Sequence, residues 1–227
     1  MSGFEDIKNE VYKTAVSLWK EGMLSASSGN VSARVPGTEL AAITPSGIRY
    51  DRLKPEEIVM IDLYGNVQEG EGIPSSETPM HTLIYREKPD VNAVIHTHSP
   101  YAIVFASLGE SIPMVCIEGL GVGKAVLPVT KHFHVPGTEA FAEEVMGVLS
   151  EEPQLRALLL ASHGLLTMGK SMAEAQGLSE SLELQAKIYH QARLLGMPAI
   201  ISEAKRQEIV KRYKKPEENR EENRNTI

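Results

Sequence analysis

The sequence lacks several features that would place it in large functional classes. Cys116 is the only cysteine among 227 residues, so no internal disulfide can form, and the chain is predicted to work in a reducing compartment, the cytoplasm. Acidic residues outnumber basic ones by 30 to 23, which argues against a nucleic-acid-binding surface. No apolar run approaches the roughly 20 residues needed to cross a bilayer, and the polar N-terminus shows no secretory signal, so no membrane partner is predicted.

Nucleotide-binding motifs are also absent. The sequence contains neither G-x-x-x-x-G-K-S/T nor G-x-G-x-x-G, so a nucleotide is not implied. The length suits one substantial hydrophobic core. Residues 1–213 are therefore predicted to form a single domain, followed over residues 214–227 by a charged tail without fixed structure.

Two histidines at the end of a strand are the strongest signal in the chain. The stretch Val91–Pro100 reads VNAVIHTHSP, and its β-branched apolar run is typical of a buried strand. Side chains two residues apart point to the same side of a strand, so His96 and His98 are predicted to converge at its mouth. Imidazole is a common ligand of zinc and similar ions, and a catalytic zinc takes about three protein ligands. The pair therefore predicts a metal site that needs at least one more ligand.

A second apolar run and an acidic turn supply the remaining candidates. His163 ends the run Leu158–Gly164 (LLLASHG) and can join the pair if the two strand ends lie side by side. Glu77, in the turn PSSETPMH, begins a predicted helix, and a carboxylate beside a divalent ion can serve as ligand, as base or as each in turn. A lone buried histidine is more often a hydrogen-bonded core residue. The combination of the His-x-His pair, His163 and the acidic turn therefore favours a metal site more strongly than His163 alone does.

The remaining histidines are assigned other roles. His132 and His134 share the two-residue spacing but follow no apolar run, which predicts a loop or pocket rim, with metal binding as the lesser alternative. His81 follows Glu77 by one helical turn and is predicted to orient the site. His190 lies in a helical pattern and is predicted to face solvent or an interface.

Three turns rich in hydroxyls and glycine predict a phosphate pocket beside the metal. Backbone amides near glycine, hydroxyl groups and a helix N-terminus together favour an anion. Each turn alone is ordinary, but the third directly precedes Glu77. The candidate phosphate-binding residues are Ser28, Gly29, Asn30, Thr44, Ser46, Gly47, Ser75 and Ser76.

The apolar periodicity predicts a layered fold. A hairpin is predicted over residues 58–68, and the predicted helices cover residues 3–22, 77–86, 100–108, 138–149, 173–195 and 203–213. A hairpin region followed by alternating helices and strands indicates α/β layers with a mostly antiparallel or mixed sheet.

The motifs, taken together, resemble the class II aldolase/adducin-like family of sugar-phosphate aldolases and epimerases, typified by L-fuculose-1-phosphate aldolase. The matching elements, in the family's order and spacing, are SGNVS at 28–32, TPSG at 44–47, SSE at 75–77 with His81 and Tyr85 following, HTH at 96–98 and SHG at 162–164. The resemblance implies a three-layer α/β/α fold with a central, mostly antiparallel sheet. It also implies a homotetramer with active sites at the subunit interfaces.

The resemblance further implies a ligand set and a reaction. One divalent ion per subunit, Zn2+ first with Mn2+, Co2+ or Fe2+ as alternatives, is expected on His96, His98, His163 and Glu77. Glu77 is also the implied catalytic acid/base, and the three turns are implied to hold the substrate phosphate. The implied reaction is reversible cleavage of a ketose 1-phosphate, fuculose-1-phosphate-like or a deoxy-ketose phosphate, to dihydroxyacetone phosphate and an aldehyde.

One position departs from the family pattern. In the fuculose-phosphate members a tyrosine from a neighbouring subunit, shortly after an Ile-Pro pair, protonates the leaving aldehyde, whereas the corresponding place here, near Ile117, has none. Glu118, a residue of the His132/His134 loop or Tyr213 could substitute. The departure favours a related substrate over fuculose 1-phosphate. Alternatives left open are a methylthioribulose-1-phosphate dehydratase, a pentulose-phosphate 4-epimerase and a non-catalytic assembly domain.

Overall fold

The computed structural model describes residues 4–224, with side chains described as far as Tyr213. In that part of the chain the α-helices are α1 (Glu5–Lys20), α2 (Thr78–Glu87), α3 (Pro100–Leu108), α4 (Glu139–Glu151), α5 (Met172–Leu195) and α6 (Glu203–Arg224). The strands are β1 (Asn30–Arg34), β2 (Leu40–Ile43), β3 (Val59–Asp62), β4 (Val67–Glu69), β5 (Ala93–Thr97), β6 (Ile112–Pro113), β7 (Val126–Leu127), β8 (Ala157–Leu160) and β9 (Gly164–Gly169).

A seven-stranded sheet forms the centre of the molecule. Its strand order is β4-β3-β2-β1-β5-β9-β8, and every neighbouring pair is antiparallel. The β3-β4 pair is the predicted hairpin. β6 and β7 form a separate two-stranded ribbon. The prediction of a mixed α/β fold with a central, mostly antiparallel sheet is confirmed.

Helices cover both faces of this sheet because the strand side chains alternate between two apolar clusters. On β5, Val94 belongs to one cluster, and Ala93 and Ile95 belong to the other. The Val94 side is covered by α2, α3, α4 and the second half of α5, and the opposite side by α1 and the first turn of α5. Both clusters are shielded from water, as the 0% exposure of all three β5 residues shows.

The C-terminal helix is longer than the sequence predicts. The periodicity ends near Tyr213, whereas α6 is assigned through Arg224 and therefore includes most of the segment 214–227. Residues 225–227 lie outside the described residues. The boundary of the domain at residue 213, and the lack of fixed structure beyond it, stay predictions. Within residues 4–224, no helix combines the length and the apolar character that a bilayer crossing demands.

Candidate active site

Three imidazoles meet at one end of the sheet. β5 runs antiparallel to both of its neighbours, so its C-terminal end lies beside the first residues of β1 and β9. His96 is on β5, His98 directly follows that strand, and His163 lies in the turn that leads into β9. One ring nitrogen of each histidine lies within 4.8 Å of the other two. The structure thus brings the three predicted histidines together, and their role as ligands stays a prediction.

His163 reaches this cluster by a different route from the one the sequence suggests. The sequence predicts one strand over Leu158–Gly164 whose end lies beside that of β5, but β8 stops at Leu160 and it is β9 that pairs with β5. The turn approaches β5 closely, because a Cβ atom added to Gly164 would lie 2.3 Å from the carbonyl oxygen of Thr97. Only glycine at this position therefore lets His163 come so near.

Glu77 adds a carboxylate to the cluster. It is the residue before α2, and only 5% of it is exposed. Its Oε1 lies 3.3 Å from Nε2 of His163, and its Oε2 lies 3.6 Å from Nε2 of His96. The carboxylate therefore contacts two of the three imidazoles, as expected for a residue beside a shared ion.

The spacing of these donor atoms fits a divalent metal ion. Nε2 of His96 and Nε2 of His163 are 3.2 Å apart, and the two carboxylate contacts measure 3.3 and 3.6 Å. Ligands at about 2.0–2.1 Å from a tetrahedral zinc are separated by about 3.3 Å, which matches these edges. Three imidazoles and a carboxylate are also the nitrogen and oxygen donors that zinc and similar ions take. The residues present therefore fit such an ion.

The protonation states of the site suit metal binding. Burial lowers the pKa of His96 to about 3 and also lowers the pKa of His98, so both rings are neutral at pH 7, as ligands must be. Burial by itself would raise the pKa of Glu77, but the adjacent His96 and the contact with His163 outweigh it and hold that pKa below its usual value. Glu77 is therefore ionised and adds negative charge to the site.

A buried chain of hydrogen bonds leads from Glu77 into the protein. Asn30 donates through Nδ2 to Oε2 of Glu77, over 3.2 Å, and its Oδ1 faces Nε2 of His81. Nδ1 of His81 lies 2.7 Å from the Ser32 hydroxyl, which in turn lies 2.7 Å from the hydroxyl of Tyr85. All four supporting residues are at most 3% exposed. The carboxylate is therefore held by an unbroken interior network.

The order of donors in this network follows from its chemistry. Because Asn30 gives its NH2 group to Glu77, its carbonyl oxygen must accept, so Nε2 of His81 carries the proton. Nδ1 of His81 then accepts from Ser32, and Ser32 accepts from Tyr85. Burial lowers the pKa of His81 to about 4, which keeps the ring neutral and preserves this order at pH 7.

Ser32 and Tyr85 lie within or beside the family motifs, but the sequence analysis assigned them no role in the site. Tyr85 follows His81 by four residues on α2, as His81 follows Glu77, so the three share one helix face. Ser32 follows Asn30 by two residues on β1 and so points to the same side of the strand. The pairing of a four-residue spacing with a two-residue spacing is the signal from which they could have been found.

The three predicted phosphate turns lie against one another. Thr44 exchanges hydrogen bonds with Val31 on β1, and its carbonyl oxygen accepts from the backbone N–H of Ser75 over 3.1 Å. The residues of these turns differ in their exposure to solvent. Ser46, Gly47 and Ser76 are exposed, whereas Thr44, Ser75 and Asn30 are buried. Both ends of the Asn30 amide are engaged by Glu77 and His81, and phosphate binding by these turns stays a prediction.

The other predicted histidines lie apart from this cluster. His132 and His134 are in a loop, as expected, and approach Glu144 of α4 to within 3.5 and 3.6 Å. His190, on α5, is half-buried against the ring of Tyr101, with 5.6 Å between ring centroids.

The position at which the family pattern has a tyrosine, near Ile117, lies on the surface of this chain. Ile117 begins a 3-10 helix, Ile117–Val122, that packs on α5. Its side chain is 58% exposed, and together with Glu118 it lines a surface cleft next to Arg156 and Glu174. Replacement of the tyrosine by Glu118, by a residue of the His132/His134 loop or by Tyr213 stays a prediction.

Comparison with known proteins identifies a family. The sequence model of the "Class II Aldolase and Adducin N-terminal domain" matches residues 9–190, which include every residue of the histidine cluster and of the network described above.

Individual relatives match over nearly the whole chain. The 5-deoxy-D-ribulose 1-phosphate aldolase of Bacillus thuringiensis serovar kurstaki is 34% identical over 91% of this chain and 94% of its own. The 5-methylthioribulose-1-phosphate/5-deoxyribulose-1-phosphate aldolase of Escherichia coli O45:K1 is 31% identical over 92% of this chain and 95% of its own. A solved structure of an L-fuculose 1-phosphate aldolase superposes with a TM-score of 0.86 at 33% identity, covering 94% of this chain and 98% of that one.

Proposed function

The chain belongs to the class II aldolase and adducin N-terminal domain family and is a lyase of the class II aldolase type, and we propose that it reversibly cleaves 5-deoxyribulose 1-phosphate to dihydroxyacetone phosphate and acetaldehyde. The observation that carries this proposal is the convergence of three imidazoles and one carboxylate at the end of the sheet. Cleavage breaks the bond between C3 and C4, so the phosphate-bearing fragment keeps three carbons and the apolar aldehyde takes two.

His96, His98 and His163, with Glu77, are the residues that would hold a divalent ion, Zn2+ in the first place. Bound there, such an ion supplies Lewis-acid stabilisation of the negative charge that develops on the substrate oxygens when the carbon–carbon bond breaks. The chain contributes the geometry, since the strand ends fix the imidazoles before substrate arrives.

Glu77 is the proposed proton carrier. Its lowered pKa means that it begins as a base, able to take the proton from the carbon next to the carbonyl of dihydroxyacetone phosphate in the condensation direction. In the cleavage direction the C4 hydroxyl releases one proton as the C3–C4 bond breaks and C3 takes up one proton, which Glu77 is proposed to deliver, so the proton count is unchanged. The hydrogen bond from Asn30 orients one oxygen and leaves the other, Oε1, on the side of His163.

The three turns that contain Ser28–Asn30, Thr44–Gly47 and Ser75–Ser76 are proposed to hold the substrate phosphate. The hydroxyls of Ser46 and Ser76 are exposed, and Ser76 immediately precedes Glu77 at the beginning of α2, where backbone N–H groups favour an anion. A phosphate bound there takes no part in the chemistry but positions the reacting carbons. Ser28, Gly29, Asn30, Thr44, Gly47 and Ser75 are the other proposed members of this pocket.

Two features support 5-deoxyribulose 1-phosphate over fuculose 1-phosphate. Both curated relatives described above carry 5-deoxyribulose 1-phosphate in their names. In addition, this chain has Ile117 near the position for which the family resemblance implies a tyrosine, and an apolar residue there suits acetaldehyde, which lacks the hydroxyl next to the carbonyl that the aldehyde from fuculose 1-phosphate carries. A homotetramer in the cytoplasm belongs to the same proposal, with the active site completed by a neighbouring subunit.

A substrate panel tests this proposal. The metal-loaded protein is incubated with 5-deoxyribulose 1-phosphate, 5-methylthioribulose 1-phosphate, fuculose 1-phosphate and ribulose 5-phosphate, and dihydroxyacetone phosphate is measured through its reduction by an NADH-dependent coupling enzyme. We expect the highest kcat/KM with 5-deoxyribulose 1-phosphate.

The alternative activities, dehydratase and epimerase, would give different results in the same panel. Loss of water from methylthioribulose phosphate without dihydroxyacetone phosphate would identify a dehydratase, and conversion of ribulose 5-phosphate to its epimer would identify an epimerase. A folded protein that binds metal and turns over none of these compounds would contradict the proposed substrate class.

A further inference from the structure

We propose that the chain carries a second divalent metal site, formed by His132, His134 and Glu144 and separate from the histidine cluster at the end of the sheet. Two histidines and one carboxylate form a donor set for first-row ions such as Zn2+. One donor atom from each of the three residues lies within 4.8 Å of the other two.

The distances around Glu144 match the edges of a metal coordination sphere. Its Oε2 lies 3.5 Å from Nδ1 of His132 and 3.6 Å from Nε2 of His134. Donors at about 2.0–2.1 Å from a tetrahedral ion are about 3.3 Å apart, so both edges need to shorten only slightly. The same contacts are long for strong charge-assisted hydrogen bonds, which favour about 2.7–2.9 Å.

The carboxylate is already fixed in place before any ion binds. Its other oxygen, Oε1, accepts from the backbone N–H of Lys131 over 2.8 Å and from that of His132 over 3.2 Å. This arrangement points Oε2 at the two imidazoles and lowers the entropic cost of assembling the site. Burial opposes ionisation of Glu144, but these backbone donors outweigh it and lower its pKa, so the group is charged at pH 7.

The loop that bears the histidines is held at both ends. Before it, the N–H of Thr130 donates to the carbonyl of Leu159 on β8 over 2.9 Å. After it, Thr138 caps α4 by accepting from the N–H of Phe141. The two histidines, separated by one residue, thus approach the same carboxylate on the first turns of α4 from a loop whose ends are fixed.

The surroundings favour a cation. A surface depression next to the site is lined by the carboxylates Glu143, Glu144 and Glu151 and by a single ammonium group, that of Lys131. His132 is 70% exposed and His134 31% exposed by side chain, so an ion can enter from solvent and keep water as a further ligand.

An ion at this site would affect the neighbouring histidine cluster through α4. Phe141, one turn before Glu144, packs on the ring of His163 with 5.4 Å between centroids. Gly137, at the end of the loop, lies so close to Ser76 that an added Cβ would be 2.5 Å from the Ser76 carbonyl oxygen. Fixing the loop to α4 would therefore stiffen two surfaces that border the proposed active site.

Metal counting in the full-length protein tests this inference. The protein is stripped with a chelator, and Zn2+ binding is titrated by calorimetry and checked by elemental analysis after gel filtration. We expect two ions per chain in the wild type and one in the double variant His132→Gln/His134→Gln. The Glu144→Gln variant, with a single isosteric change on α4, should also bind one ion. It tests the same site if the double variant does not fold.

Matched variants separate this site from the one proposed for catalysis. His190→Gln and Glu143→Gln remove a histidine and a glutamate outside the set of three and should still bind two ions. His96→Gln/His98→Gln should lose one ion and retain the one on the loop, so failure of the catalytic proposal and failure of this one give different patterns. A wild-type ion count, whether one or two, that is unchanged in a folded Glu144→Gln variant and in the double loop variant would overturn the second site.

Discussion

Nδ1 of His96 lies 3.2 Å from the carbonyl oxygen of Leu165, the residue after the glycine that begins β9. A carbonyl can only accept a hydrogen bond, so Nδ1 of His96 carries the proton and Nε2 presents its lone pair to the histidine cluster. This outer contact fixes the tautomer that a metal ligand needs. No such contact constrains His163, whose Nδ1 has no hydrogen-bond partner among the described residues.

The first prediction concerns this ligand tautomer. Replacing His96 by Gln removes the fixed lone pair, and we expect metal affinity to fall by at least about 100-fold, since loss of an outer-sphere partner alone costs 10–100-fold. The measurement is competition with a chromophoric chelator. His190→Gln serves as control because that ring lies on Tyr101, away from the cluster. Equal affinities in His96→Gln and wild type would exclude His96 as a ligand.

The second prediction separates proton transfer from folding. Glu77→Gln keeps the shape of the side chain but removes its basicity, so kcat should fall by about 100- to 10,000-fold, the usual contribution of a positioned acid or base. Thermal unfolding should show that the variant remains folded. Glu87→Gln, at the exposed far end of the same helix, should retain wild-type turnover. Wild-type kcat in Glu77→Gln would remove this residue from the mechanism.

The third prediction tests whether the interior network positions Glu77. Tyr85→Phe leaves Ser32 with one hydrogen-bonding partner fewer, and His81→Gln interrupts the chain one step closer to Asn30. Each unsatisfied buried group costs about 1–3 kcal/mol, so both variants should be less stable by that order.

The kinetics of His81→Gln and Tyr85→Phe test whether the network positions Glu77. If the network orients Glu77, kcat should fall more in His81→Gln than in Tyr85→Phe, while KM changes little in either, because neither residue is placed in the phosphate pocket. Equal kcat values in the wild type and in a folded His81→Gln variant would reduce the network to a purely structural one.

The fourth prediction is a pH dependence of stability. Burial lowers the pKa of His81 from 6.5 to about 4, so between these values the unfolded chain binds more protons than the native protein. The free energy of unfolding should therefore decrease as the pH falls from 6.5 and level off below 4. The contribution of His81 is at most about 3 kcal/mol, on the basis of 1.36 kcal/mol per unit of pKa.

Comparison of two proteins isolates this contribution. Denaturant unfolding of the wild type and of His81→Gln is followed between pH 7 and pH 4 in excess chelator, so that release of metal does not enter. The variant should show the shallower dependence. Parallel curves would mean that the pKa of His81 is the same in the native and unfolded states, so that burial does not lower it.

Sequence patterns could predict the site because its parts are each encoded locally. The His-x-His spacing at the end of an apolar run places His96 and His98 together by strand geometry alone, and the first turn of α2 places Glu77. The antiparallel sheet could be anticipated from the hairpin over β3 and β4. These features require no knowledge of which strands become neighbours.

The remaining features depend on strand order, which local periodicity does not contain. Leu158–Gly164 reads as one apolar run, and only the pairing of β9 with β5 shows that the run breaks at Leu160 to form a turn. The hydrogen bonds of Asn30 to Glu77 and His81 likewise arise from β1 lying under α2. The approach of Glu144 to His132 and His134 depends on how the loop folds back onto α4, which spacing along the chain cannot reveal.

The last prediction concerns the turn between β8 and β9, where the apolar run Leu158–Gly164 is interrupted. In Gly164→Ala the added methyl group would lie 2.3 Å from the carbonyl oxygen of Thr97 and 2.7 Å from Cε1 of His96, so the turn must move away from β5. We expect a loss of stability of about 1–3 kcal/mol, typical of overpacking, together with weaker metal binding because His163 shifts with the turn. Gly177→Ala on α5 is the control, since nothing lies within 4 Å of its added Cβ and alanine favours a helix by about 0.5–1 kcal/mol. A Gly164→Ala variant with wild-type stability and metal affinity would show that the turn can carry His163 into place without this close approach.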